Sequence, residues 1–314
     1  MRSGALVNHP LEIIALGEPL FEFSQIPNEP RHYLQGFGGD TSNMAIAASR
    51  LGAKVAYLTR VGADEFGQQL LALWRDEGVD CSSVAVDPHA PTGGYFITHG
   101  THGHQFSYLR SGSAASRMRA ADVPADVIGR ARFFYASGIS QAISDSACDA
   151  VFTAIDAARN AGVRVAYDSN LRLKLWPLAR ARAVIASTAA LADLFLPSLD
   201  DATALSGFSD PDAIIDWAHA LGAPIVLLRM GANGVRVSDG GARTTLAGLK
   251  VATVDATGAG DCFNGALLAR LAAGDDLLAA ARYANAAAAL STTGFGAIAS
   301  YPRSDAVGKM LIAQ

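Results

Sequence analysis

Apolar and polar positions along this 314-residue chain alternate between two periods. Short β-branched runs at Val55–Leu58, Val163–Tyr167, Leu194–Leu196 and Ile225–Leu228 read as buried strands. The stretches between them are rich in alanine and carry apolar residues three and four apart, which predicts amphipathic helices covering both faces of a largely parallel sheet. Met44, Ala47, Ala48 and Leu51 form one such helical face, with Gly52 as its stop, and Phe263, Leu267 and Leu271 form another. Two regions break the alternation, residues 20–34 and 93–110, where polar and aromatic residues alternate as in exposed strands. They predict a separate small sheet, with an edge extension of the main sheet as the alternative.

In parallel sheets ligands bind beyond the carboxyl ends of the strands. Three polar groups fall there: Asp168 to Arg172, Ser198 to Asp201, and Arg229 to Gly234. Between Asp255 and Gly265 the chain reads Asp-Ala-Thr-Gly-Ala-Gly-Asp-Cys-Phe-Asn-Gly, a glycine turn opening the helix of Phe263. Free N–H groups at a helix start bind phosphate oxygens, and Gly258 and Gly260 admit them closely. Asp261 would be repelled by that anion unless it worked on a hydroxyl proton, as phosphoryl transfer to an alcohol requires. A helix cap is the plain alternative. A second glycine segment, Gly36-Phe37-Gly38-Gly39-Asp40-Thr41-Ser42-Asn43, offers Asp40 and Asn43 to hydroxyls.

Together with Gly52–Gly67, Asp168-Ser169-Asn170-Leu171-Arg172, Leu228–Gly234 and Asn285, these segments resemble the ribokinase-like (phosphofructokinase B type) carbohydrate kinases over nearly the whole chain. The resemblance implies a three-layer αβα sandwich in one domain, 1–314, with the small sheet as a lid over the sugar and a dimer contact. It implies Mg²⁺ and ATP, Asp261 as base, and the N–H groups of Gly258, Ala259, Gly260 and Asp261 as an anion hole. Gly38, Gly39, Asp40, Asn43, Asp168 and Asn170 would line the sugar site. Ser198, Arg229, Gly231, Asn233, Gly234, Gly258, Gly260 and Asn285 would face the nucleotide, and Asp255 with Thr257 a monovalent cation such as K⁺. One departure stands out. Where many members carry Asn-x-x-Glu for the water shell of Mg²⁺, this chain has Ser198-Leu199-Asp200-Asp201, and the shorter Asp201 reads equally as a metal contact through water or as a loop residue.

Within the family, Tyr95, Tyr108, Arg110 and Arg172, with Asn170–Trp176, resemble the kinases of 2-keto-3-deoxygluconate, in which such residues contact a sugar acid. A carboxylate suits an Arg fork or a phenol. Fructokinases and other neutral-sugar or nucleoside kinases share the machinery without needing that clamp. A non-catalytic sensor is the alternative from another class, against which Asp261 beside an intact anion turn argues.

Composition narrows the remaining classes. Half the residues are hydrophobic, enough for a large core. A net charge of −4 and the lack of a basic stripe argue against nucleic-acid partners, so anionic ligands must be met locally by Arg110, Arg172, Lys174 and Arg229. The apolar runs fall short of a bilayer span and no signal peptide is visible, which predicts a cytoplasmic protein. Cys81, Cys148 and Cys262 are spaced for neither metal nor disulfides and read as thiols. His99, His102 and His104 lie among glycines and read as a hairpin tip rather than a metal site.

Overall fold

The computed structural model describes residues 11–26, 29–100 and 103–312. In chain order the strands are β1 (Ile13–Leu16), β2 (Leu20–Ile26), β3 (Glu29–Gly38), β4 (Val55–Gly62), β5 (Val84–Asp87), β6 (Gly94–Gly100) and β7 (Gly103–Leu109). They continue with β8 (Phe133–Ser137), β9 (Arg164–Asp168), β10 (Leu194–Phe195), β11 (Ile225–Arg229), β12 (Val235–Ser238) and β13 (Arg243–Leu246). Nine make the main sheet in the order β13-β12-β11-β10-β9-β8-β1-β4-β5. It is parallel from β11 to β5, and β12 and β13 add an antiparallel edge.

Strand periodicity sorts the core into two layers. Ile13, Ala15, Val55 and Tyr57 pack with helices Asp40–Arg50, Ala259–Ala273 and Leu277–Ser291. Ile14, Leu16, Ala56 and Leu58 face the opposite cluster, which includes residues of helices Asp145–Asn160, Leu178–Ala189 and Pro211–Leu221. This is the three-layer arrangement the alternating pattern predicts, with strand ends shifted by a few residues at most. Among the described residues no helix is long and apolar enough to cross a membrane.

The two irregular regions do form their own sheet, β3-β2-β6-β7, rather than an extension of the main one. Its strand β3 runs on to Gly38, so Gly36 and Gly38 belong to a strand and not to the turn expected from the paired glycines. Only Gly39 makes the bend, at φ 101°, and a Cβ there would lie 2.3 Å from the Glu18 carbonyl oxygen. β6 and β7 pair out to Gly100 and Gly103, so His99 and His104, expected at a hairpin tip, stand opposite each other in the paired strands; residues 101–102, with His102, lie outside the described residues.

Two helices carry the polar groups that matter most, and glycine sets their distance. Helix Ala259–Ala273 is buried nearly all round, and Gly265 in it meets helix Asp40–Arg50. A Cβ on Gly265 would lie 2.6 Å from the Met44 carbonyl oxygen and 2.8 Å from Ala47 Cβ. This close packing brings the first turns of both helices, with Asn43 and Asp261, to one point above the strand ends.

Candidate active site

The first turn of helix Ala259–Ala273 opens into a cleft of about 1340 Å³ that runs from the small sheet across the carboxyl ends of the main strands. Gly258 stands before the helix in the left-handed region at φ 74°. A Cβ there would strike the Tyr301 hydroxyl at 2.5 Å and Ala297 at 2.6 Å. Ala259 and Gly260 follow in the first turn; the Ala259 N–H donates to the Ala256 carbonyl at 3.2 Å, whereas the next N–H groups, of Gly260 and Asp261, stand where a helix start offers no intrahelical partner. The turn is tied down from outside: Asp255 accepts hydrogen bonds from the N–H (2.9 Å) and hydroxyl (2.7 Å) of Thr257 and from the N–H of Gly296 (3.0 Å).

Asp261 is 9% exposed and accepts a hydrogen bond from Asn43 Nδ2 at 2.9 Å. Burial, and next the charge of Asp40, raise its carboxyl well above the ordinary aspartate range; Asn43 and Arg229 oppose that shift. The carboxyl therefore holds its proton more firmly than a simple helix cap would, since a capping carboxylate has its pKa lowered. Cys262 next to it is fully buried, its thiol pushed up to about 12 by burial, which disfavours the thiolate.

Asp40 and Asn170 complete the floor. Asn170 Nδ2 donates to Asp40 Oδ2 at 2.7 Å, and Asn170 has φ 27°, a left-handed value for a non-glycine residue. Such strain persists where the surroundings hold it, and here Asp201 does so. Its Oδ2 accepts from the Ser169 hydroxyl and the Leu171 N–H, both at 3.1 Å, while the Asp201 N–H donates to Ser198 Oγ. Asp201 itself stands in the first turn of helix Leu199–Ser206 and lines the cleft, and its side chain ties down the 169–171 loop.

At the end under the small sheet stand Tyr95, Tyr108, Arg110 and Arg172, all lining the cleft. The Arg110 guanidinium lies 5.3 Å from the Tyr108 ring centre and is ion-paired with Glu18, a buried residue at the end of β1. Burial raises the Glu18 carboxyl in spite of Arg110 beside it. The Tyr95 hydroxyl donates to Glu22 and covers Gly38, whose added Cβ would lie 2.4 Å from it. Gly38 is therefore not among the cleft-lining residues: it admits the Tyr95 ring. Neither is Asn233, although its neighbours Gly231 and Gly234 are.

Sequence reasoning misses Glu18, Glu22 and Asn264, whose partners lie 92, 73 and 96 residues away. It also misses residues 248–251 and Thr253, which line the far end with Asn285, Ala288, Ala289 and Thr292. Asn285 Nδ2 holds that wall through the Ala247 carbonyl at 2.7 Å. Among the described residues eight buried side chains leave a polar atom unpartnered, and four of them, Asp40, Asn43, Arg110 and Arg229, line this cleft. Buried polar atoms without partners are rare in folded proteins, and their concentration here marks a place for a polar ligand.

A parallel sheet with a glycine turn, a buried carboxylate and a second small sheet around one cleft sets the class of protein to look for. Residues 12–304 match the pfkB family of carbohydrate kinases, and the chain belongs to that family. It is 37% identical over 293 residues to the 2-dehydro-3-deoxygluconokinase of Thermoproteus tenax, covering 89% of this chain and 88% of that one. It is 33% identical over 309 residues to fructokinase-1 of Zea mays, with 92% and 94% covered. Among solved structures, the aminoimidazole riboside kinase of Salmonella enterica, complexed with aminoimidazole riboside and an ATP analog, superposes with a TM-score of 0.86 at 27% identity, covering 96% of this chain and 99% of that one.

Proposed function

We propose that this sugar kinase transfers the γ-phosphoryl group of ATP to the terminal hydroxyl of a sugar acid, 2-keto-3-deoxygluconate first among them, giving 2-keto-3-deoxy-6-phosphogluconate. The observation that carries the acid is the grouping of Arg110, Arg172, Tyr95 and Tyr108 at the lid end of the cleft that holds Asp261. An anionic group bound there leaves the opposite end of the sugar to reach the base. Asp261 orients the hydroxyl and takes its proton as the oxygen attacks the γ-phosphorus and the bond to the β-phosphate oxygen breaks. The N–H groups of Gly260 and Asp261 receive the charge that develops on the phosphoryl oxygens, while the Ala259 N–H, expected to join them, holds the turn through the Ala256 carbonyl. Gly39, Asp40, Asn43 and Asn170 bind sugar hydroxyls, and the strands of the lid exclude water.

The nucleotide would lie along Ser198, Arg229, Gly231, Gly234 and Asn285, with residues 248–251 as its wall. A Mg²⁺ arriving with the nucleotide would be carried by phosphate oxygens and water. Mg²⁺ when bound shares the phosphate charge. A monovalent cation would be held by Asp255 and Thr257 beside the hydrogen bonds that Asp255 already accepts from Thr257 and Gly296, and would stiffen the turn. The exposed Leu34 and Leu109 on the lid are the apolar surface a second copy would cover.

A neutral acceptor such as fructose is the second reading, and one observation favours it: Arg110 already has a counter-ion in Glu18. Coupled ADP release across 2-keto-3-deoxygluconate, its galactonate epimer, fructose, ribose and nucleosides separates the two. The sugar-acid reading expects the highest kcat/KM for a 2-keto-3-deoxy acid; a preference for fructose or ribose overturns it and leaves the kinase.

A further inference from the structure

Asp168 lines the cleft and reads from the sequence as a sugar ligand, yet its oxygens are committed elsewhere. It is 1% exposed. Oδ1 accepts from Arg229 Nη2 at 2.6 Å and from the Asn170 N–H at 3.1 Å; Oδ2 accepts from Asn264 Nδ2 at 2.7 Å. Asp40, by contrast, keeps Oδ1 buried and unpartnered. Arg229 spends Nη2 on Asp168 and on the Leu196 carbonyl at 2.8 Å, which turns its other edge toward the anion turn. A Cβ added to Gly260 would lie 2.4 Å from Arg229 Nη1, so the guanidinium lies directly against the backbone of the turn. Asn264 stands one helical turn after Asp261 and binds both Asp168 and the Tyr135 hydroxyl (3.0 Å).

We infer that Asp168 is the positioning residue of the phosphoryl site: it aims Arg229 at the Gly258–Asp261 turn and, through Asn264, fixes that cation to the helix carrying the base. Arg229 then supplies the turn with a fixed positive charge that needs no reorganisation when charge develops on the phosphoryl group. A buried guanidinium requires a counter-ion, and Asp168 is that counter-ion as well as its guide. The inference rests on phosphoryl transfer taking place at this turn.

The test is steady-state ADP release by the full chain, with 2-keto-3-deoxygluconate and with fructose as acceptors, for Asp168→Asn, Arg229→Met, Arg229→Lys and the double variant D168N/R229M. Circular dichroism checks each fold. Losing one preorganised donor of this kind costs about 10²- to 10³-fold in kcat, and that is the loss expected for Arg229→Met. Asp168→Asn should lose about as much in kcat while the acceptor KM moves less than about threefold, because no sugar contact is removed. Arg229→Lys, which keeps the charge, should recover about tenfold or more of the loss. The double variant should be no slower than Arg229→Met, since the two residues act as one unit. An Asp168→Asn enzyme with full kcat and a tenfold higher acceptor KM makes Asp168 a sugar ligand and overturns the inference. Should that variant not fold, the Arg229 pair and the double variant decide: full kcat in Arg229→Met, or no recovery in Arg229→Lys, overturns it equally. Full kcat in an Asp261→Asn control would instead remove the assignment of the turn itself.

Discussion

The two ends of the cleft are built from different material. At the phosphoryl end, Asp261, Asn43, Asp168, Asn264 and Arg229 sit on helix starts and strand ends of the main sheet, each less than 15% exposed or fully buried, and tied to one another. At the other end, Tyr95 and Arg110 are as buried, at 8% and 11%, and are held by Glu22 and Glu18, but they sit on or just after strands of the small sheet, whose strand β7 leaves Phe106, Tyr108 and Leu109 40–60% exposed. Precise geometry is needed where bonds change, and rigid packed elements hold it. Recognition tolerates a looser frame that can open and close. The contrast fits relatives that resemble this chain almost equally and carry the names of different acceptors: gluconate-type, fructose and riboside kinases.

Changes at the rigid end should therefore cost turnover, and the largest effect belongs to Asp261→Asn. Removing a general base lowers kcat by about 10²- to 10⁴-fold; pre-steady-state measurement of sugar phosphate formation would show it, and undiminished turnover would end the role of Asp261. Next comes Gly39→Ala, which forces a Cβ into the Glu18 carbonyl at an unfavourable φ. Strained residues of this type cost about 1–3 kcal/mol, visible as an earlier denaturant midpoint at unchanged slope; an unaltered midpoint would show that the bend relaxes freely.

A smaller and conditional effect concerns pH. Burial and Asp40 hold the Asp261 carboxyl above its ordinary value, so protonated, inactive base persists to higher pH than for a free aspartate of pKa about 3.9. kcat/KM should rise with pH along a one-proton limb lying above that value; the groups facing Asp261 besides Asp40 are Asp168, Arg229, Tyr95, Tyr135 and Tyr301. A rate already flat at pH 4 would place the proton elsewhere. The smallest effect is expected from exchanging K⁺ for tetramethylammonium, a several-fold loss read in initial rates and abolished in Asp255→Ala. Equal rates in both salts would take the cation out of the account.

The same contrast explains what was legible in the sequence. The strand runs and the helical face of Phe263, Leu267 and Leu271 are local patterns, and so is the turn from Gly258 to Asp261; each can be read from a dozen residues. The small sheet announced itself by a change of period. What escaped was every pairing across the fold: no short-range signal links Glu18 to Arg110, Glu22 to Tyr95, or Asn264 to Asp168. Gly38 misled for a related reason, since a glycine that admits a distant tyrosine ring looks in sequence like one that admits a ligand. Asp168 likewise stands at a strand end where ligands bind, but a buried arginine had prior claim to it.

The central claim is that an acid group is recognised at the loose end by Arg110. It is tested most directly by kcat/KM for 2-keto-3-deoxygluconate and for fructose in the native enzyme and in Arg110→Ala, with KM for ATP as control. A charge-assisted hydrogen bond contributes about 1.5–3 kcal/mol, so the acid should lose roughly ten- to a hundredfold in kcat/KM while fructose and ATP change little. Equal losses for acid and neutral sugar would contradict the clamp and give Arg110 to Glu18 alone.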